Sequence, residues 1–254
     1  MVMKTGTFVI ILSLICILFA AGCSNTARFN YSEAYGAVPA LMPLPGDPSV
    51  GVLPAEDFRD ADTYALNDNA NEGVGSYYFG FLPLMPFGWR TMRHPEQSGS
   101  FATLSQFDFN PAEDLANAAS IGLKASRLFS KVERVRDIKN CSSTYLWRTR
   151  LRNSNYRGHL ITYGVTYFAA PVLWLIGLPD GLSVAKLHID FELIDRASNK
   201  TVWSCSSNLS DSQWHWLYAR IGTDADLYAK MMKYALARAA VDLSQKYPQP
   251  ASAK

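Results

Sequence analysis

Apolar residues recur at two different periods in the second half of this chain, and that contrast limits the fold strongly. Between Val184 and Ile194, the residues Leu187, Ile189, Phe191 and Leu193 alternate with polar ones, the period of two that puts every second side chain on one face of a strand. Between Asp224 and Leu243, the residues Tyr228, Met232, Ala235, Leu236, Ala239 and Leu243 recur at helical spacing and make one apolar stripe. A strand and a helix that are each apolar on one side bury those sides against other elements, and packing helices on one face of a sheet does this. The other segments fit that plan. Val50-Gly51-Val52-Leu53-Pro54 reads as a strand. Asn110-Pro111-Ala112-Glu113 marks a helix start, with Asn at the cap, Pro at the first helical position and Glu at the third. That helix continues through Leu115, Ala118, Gly122, Ala125 and Phe129, and Leu128 to Val135 alternates into a strand. Tyr145 to Arg152 and Arg157 to Tyr167 read as a hairpin turning at Asn153-Ser154-Asn155, since Asn favours turn conformations. Asp195 to Lys200 makes the turn into Thr201-Val202-Trp203-Ser204-Cys205. The expected fold is therefore α+β, a mixed and largely antiparallel sheet covered by two main helices.

The first 23 residues carry a different message. Lys4 leads into the apolar run Phe8 to Phe19, followed by Ala20-Ala21-Gly22-Cys23. A basic start, an apolar stretch of about 7–15 residues and small residues before a cut define an export signal. This run of twelve residues, Ser13 among them, is too short for a membrane span, which takes about 20. The order resembles a bacterial lipoprotein signal peptide, and that resemblance implies cleavage before Cys23, acylation of its thiol and anchoring in a lipid bilayer. It also implies, through Ser24, the outer membrane with the domain facing the periplasm. On this plan residues 1–22 are the signal peptide, 23–47 the lipidated Cys and a flexible tether containing Pro39, Pro43 and Pro45, 48–247 a single domain, and 248–254 a disordered tail.

Removing the signal leaves 23 basic and 22 acidic residues in the mature chain. A nearly neutral chain lacks the electrostatic footprint of a nucleic-acid binder, so no nucleic-acid partner is expected. Of the four cysteines, Cys16 leaves with the signal and Cys23 carries lipid. Cys141 and Cys205 remain, either as a disulfide suited to an oxidising compartment or as two buried free thiols. The four histidines, His94, His159, His188 and His215, are scattered without metal-ligand spacing, so no metal and no cofactor is expected.

The run VGVLPAEDFRD at residues 50–60 and the helix-to-strand passage through Leu128-Phe129 resemble the TolB N-terminal and CsgG-like α/β class. The resemblance implies a periplasmic α/β domain. It covers residues 49–60 and 110–245 in pattern.

Two segments stand out as interaction surfaces. The insertion at 61–106 holds Tyr77, Tyr78, Phe79, Phe81, Phe87 and Trp89 in a dense aromatic patch, which either folds back as extra core or faces a partner. Residues 160–179 contain no charge, yet Gly164, Pro171 and Gly177 interrupt them. They read as a buried strand with an apolar loop, or as a surface docking on lipid or protein. Trp174, Trp214 and Trp216 complete the candidate surface, because indoles with a polar handle favour interfaces. No nucleophile elbow, phosphate loop or zinc signature is present. His94-Pro95-Glu96 and Asp211 to Trp216 hold acid and base groups without such a motif, and no catalytic residue is assigned. The expected function is a non-enzymatic lipoprotein that binds an envelope protein as scaffold or assembly factor. The alternatives are an accessory lipoprotein of lipid or solute transport and an oligomeric secretion-channel component. Nothing in the sequence sets an oligomeric state.

Overall fold

The computed structural model describes residues 27–31, 38–59, 71–75, 78–79, 82–83, 87–97, 107–136, 141–165, 169–220 and 223–247. Its longest strand pair is the hairpin of β12 (Gly181–Asp195) and β13 (Lys200–His215), paired from Asp195↔Lys200 to Gly181↔His215 with one bulge at Val202, between Ile194↔Thr201 and Leu193↔Trp203. The turn is built locally. Asp195 accepts from the backbone of Ala197 and the hydroxyl of Ser198, and Asn199 takes the left-handed conformation at φ 54°. Both Asn and Asp tolerate such turns.

The other edge of β12 pairs with β10 (Tyr145–Asn153) and then β11 (Tyr156–Leu160). Both run antiparallel to β12 and in continuous register, apart from a bulge between Leu151 and Asn153. The expected hairpin at 153–155 is therefore absent: Asn153 to Asn155 is a kink in one long strand. The reason lies in the contacts of these residues. Ser154 is buried and its hydroxyl donates to the carbonyl of Arg93, while Asn155 O accepts the β12 amide of Lys186. A chain held into the ladder on both sides has no freedom to turn.

Around this long pair the sheet has two halves. Toward the hairpin tip, β2 (Ser49–Val52) lies parallel to β10 on one side and to β9 (Lys131–Arg134) on the other, and β3 (Glu56–Asp57) continues parallel to β10. The crossover from β2 to β9 runs through α1 (Pro111–Ser126), the strand, helix, strand order the sequence predicts. Toward the other end, β4 (Asn71–Gly75) and β7 (Phe87–Met92) extend the sheet beyond β11. Part of the 61–106 insertion is thus sheet. β5 (Tyr78–Phe79) and β6 (Leu82–Pro83) pair with each other. The fold class is α+β.

α1 and α3 (Ala225–Lys246) cover one face of the sheet. Asn110 caps α1 through its side-chain oxygen, which accepts from the Glu113 amide. Gly122 brings the two helices together: a Cβ there would lie 2.9 Å from Leu236 and 3.0 Å from the Tyr31 hydroxyl. Beneath the helices, Trp147 packs on Phe191 and Trp203 with ring centroids 5.4 and 5.5 Å apart. The other face is largely polar. Arg148 and Arg150 from β10 meet Glu56 and Glu192, and Arg152 meets Asp190.

Two expectations fail here for identifiable reasons. Cys141 and Cys205 are free thiols on opposite faces of the sheet. Cys141 belongs to a small cluster with Leu53, Val135, Leu146 and Ile194, whereas Cys205 packs with the main core under the helices. The sheet between them prevents a bond, so they are the unpaired thiols of the alternative reading. The second concerns the tether. Residues 27–31 and 38–47 are docked: β1 (Ala27–Arg28) pairs with β8 (Phe107–Asp108), Leu41 N donates to Ser126 O and Leu44 N to Leu128 O. Phe29, Val38 and Leu44 are buried. Sparse charge and three prolines suggested a linker, but these apolar side chains complete the core beside α1.

Candidate functional site

At the end of the sheet away from the 195–200 turn, the chain after β11 forms α2 (Ala169–Leu175), turns through Gly177 and enters β12 at Gly181. Alongside it lies the 216–220 turn that follows β13. These segments make an apolar cap. Val172, Leu175, Ile176 and Tyr218 are 54, 53, 71 and 68% exposed. Tyr163, Leu178 and Leu217 are exposed beside them. Residues 172, 175 and 176 lie on one side of α2 and the turn that follows it, and that side faces solvent. Contiguous exposed apolar surface of this kind marks an interaction site.

The cap is held from within by its own polar groups. Tyr218 Oη donates to Leu175 O (2.9 Å), Tyr163 Oη to Pro179 O (2.7 Å) and Trp174 Nε1 to Ile161 O (2.9 Å). Ile161 N donates to Asp180 O, and Asp180 N to His215 O. Each aromatic residue spends its donor on a backbone carbonyl of these segments.

Under the cap lies a buried polar cluster. His215 Nε2 is 2.8 Å from Asp224 Oδ1 and 2.8 Å from Ser183 Oγ, while His215 Nδ1 is 2.8 Å from Arg220 O. Tyr156 Oη donates to Asp224 Oδ2 at 2.7 Å. All four side chains are fully or almost fully buried. Burial alone would lower the pKa of His215, but Asp224, through hydrogen bonding and charge, outweighs it and raises the value. Nδ1 facing a carbonyl must carry a proton, and Nε2 facing a carboxylate carries one as well. A Ser, a His and an Asp are thus close together, and Asp224 favours the charged imidazole, which makes His215 and Asp224 an imidazolium–carboxylate pair. The pair ties the end of β13 to the start of α3 and so fixes the 216–220 turn. Nearby, burial pushes the Asp180 carboxyl above its ordinary range.

The acid and base groups noted in the sequence have structural partners. Glu96 binds Arg59 (2.7 Å), whose guanidinium also meets Asp57 (2.6 Å) and donates to Ser154 Oγ (2.8 Å). Burial would raise the Asp57 pKa, and the bonds to Arg59 lower it on balance. Asp211 pairs with Lys230, and Gln213 donates to Thr223 Oγ1. Residues 211–215 lie within β13 rather than in a loop joining strand to helix.

The tryptophans flagged in the sequence gather at the cap end. Trp89, His159, Leu182 and Trp214 are directly opposite one another on β7, β11, β12 and β13, in one row of the open face next to the cap. Trp89 stacks on His159 with centroids 4.8 Å apart, and Arg157 lies 4.5 Å from the centre of the same indole. Trp174 and Trp216 are half-buried within the cap segments, whereas Trp214 is exposed. Cys23, Tyr77 and Phe81 lie outside the described residues, and of Tyr78, Phe79 and Phe87 the described part is the backbone. Sequence reasoning flagged the charge-free segment but did not single out Tyr163, Val172, Leu175, Ile176 or Tyr218. Their signal was there in the spacing of 172, 175 and 176.

Two open surface grooves accompany the helices, one of about 440 Å³ along Pro39, Arg238 and Asp242 and one of about 420 Å³ along Gln213, Arg220 and Lys230. Pro39, Ala237 and Val241 make the first mostly apolar, while Asp226, Arg220 and Lys230 put charge around the second. Among the described residues no helix is long and apolar enough to cross a membrane.

No protein-family model and no curated protein matches the chain. It resembles several solved bacterial structures. XCC0632 from Xanthomonas campestris, of family DUF330, aligns at 11% identity over 88% of this chain and 98% of that one, with a TM-score of 0.47. A putative neuraminyllactose-binding hemagglutinin homolog from Helicobacter pylori aligns at 10% identity over 88% and 93%, with a TM-score of 0.38. The PelC dodecamer from Paraburkholderia phytofirmans aligns at 14% identity over 78% and 92%, with a TM-score of 0.32. Likenesses of this strength assign no function to the chain.

Proposed function

We propose that this chain is a membrane-anchored, non-enzymatic lipoprotein of the bacterial envelope, whose α+β domain acts as a scaffold or assembly factor by holding an envelope component at the apolar cap. The observation that carries the reading is the cap itself: a helix and two turns fixed from beneath by hydrogen bonds, with Val172, Leu175, Ile176 and Tyr218 turned outward. The lipoprotein-like start, Ala20-Ala21-Gly22-Cys23, supports the anchor, and by the same resemblance Ser24 favours the outer membrane. Site-specific photocrosslinking in intact cells tests the proposal. A photoreactive residue at position 176 is expected to give crosslinks to an envelope component, and one at position 198, in the distant turn, is not. No crosslink from position 176 in cells that export the protein overturns it.

A further inference from the structure

We infer that the apolar cap is a lipid-docking surface: it rests its exposed side chains in the interfacial region of the bilayer that holds the acyl anchor. This inference rests on the reading of Cys23 as acylated and of the cap as a contact site, and it names the occupant. Three observations support a bilayer over a protein.

The first is the length of chain between anchor and domain. Ala27, paired with Phe107, is four residues after Cys23. At ~3.5 Å per residue those residues reach at most ~14 Å, whereas β12 alone, 15 residues long, runs about 50 Å at ~3.3 Å per residue. An acylated Cys23 therefore keeps one part of the domain at the headgroups and the far end away from them.

The second is which part that is. Ala27 pairs with Phe107, whose ring stacks on Tyr228 at 5.5 Å, and Tyr228 is in the first turn of α3. α3 starts at the cap end, where Asp224 meets His215, and finishes at the opposite end, where Tyr247 meets Tyr145. The anchor thus attaches to the half of the domain that bears the cap.

The third is the chemistry of the surface. Residues 160–179 carry no charge, and in the turn at 216–220 the charged residue is the cation Arg220, which is exposed. Aliphatic side chains at the tip, tyrosine and tryptophan around them, and a cation at the rim match the layers of a bilayer interface. Amphipathic aromatics favour the headgroup level and cations favour anionic lipid.

The test uses the acylated mature chain in vesicles of phosphatidylethanolamine with a minority of phosphatidylglycerol. A nitroxide is placed at Ile176→Cys or, as control, at Ser198→Cys, each in a Cys205→Ser background, Cys141 being buried. On vesicles the label at 176 is expected to become several-fold more accessible to oxygen than to a water-soluble nickel complex, with no change at 198. Ile176→Glu, an exposed position that leaves the core intact, is expected to increase release from vesicles several-fold at unchanged thermal stability. Equal water accessibility of both labels overturns the inference. If position 176 stays wet on vesicles yet crosslinks to a protein in cells, lipid docking falls and the interaction-domain reading stands; if it does neither, both fall.

Discussion

Replacing Asp224 with Ala isolates the polar cluster beneath the cap. Asp224 makes no side-chain cap bond to α3, so helix capping does not confound the result. The substitution removes the partner of a buried imidazolium and the acceptor of Tyr156 Oη. Breaking a buried pair by deleting one member costs about 3–5 kcal/mol. In a domain of this size 1 kcal/mol shifts Tm by about 2–4 °C, so a loss of about 10 °C is expected. The pH dependence is the sharper readout. His215 has a raised folded pKa, so its contribution is complete below its ordinary value of 6.5 and is lost as pH rises through the raised value. Without Asp224 burial dominates and His215 folds more readily neutral, which reverses the slope. The stability gap between native and variant should therefore be largest in acid and narrow toward alkaline pH, measured by urea unfolding across that range. A gap below about 1 kcal/mol, or one independent of pH, refutes the imidazolium–carboxylate assignment.

Other consequences follow from single contacts. Tyr218→Phe removes one hydrogen bond to Leu175 O and should cost about 1 kcal/mol and loosen α2, seen as faster amide exchange at residues 172–176; unchanged exchange would separate Tyr218 from the bracing of the cap. Gly122→Val sets carbon against Leu236 where α1 meets α3, and should cost about 1–3 kcal/mol in chemical denaturation, whereas a neutral result would mean the helices are not packed this closely. Arg59→Met leaves Glu96 and the 41% exposed Asp57 without their cation and should cost about 1–3 kcal/mol; a stable variant would show the hub to be dispensable. Thiol titration of the unfolded, non-reduced mature protein should find both Cys141 and Cys205 free, and finding neither would contradict their placement on opposite faces.

Much of the fold was legible because local chemistry and long-range packing agree. Leu187 to Leu193 alternate and line the core, Asn110 caps a helix, and the stripe from Tyr228 to Leu243 is buried. Where they disagree, the sequence misleads. Asn153-Ser154-Asn155 has turn composition, yet register with β12 and the buried Ser154 hydroxyl hold it in the ladder. Residues 38–47 look like a linker, but Val38 and Leu44 find places beside α1 that only the folded chain creates. The cap was half legible. Its lack of charge is written in residues 160–179, whereas the outward direction of Ile176 is set by Tyr163, Trp174 and Tyr218 turning their donors inward. His215 and Asp224 are nine residues apart in sequence and meet only because β13 ends where α3 begins.

The central claim is that the cap is covered in the cell. Alkylation of Ile176→Cys by a water-soluble maleimide in isolated, undissolved envelopes measures this directly, with Ser198→Cys as the exposed reference. The account predicts that position 176 reacts several-fold more slowly than position 198 in envelopes. Equal rates at the two positions would contradict it.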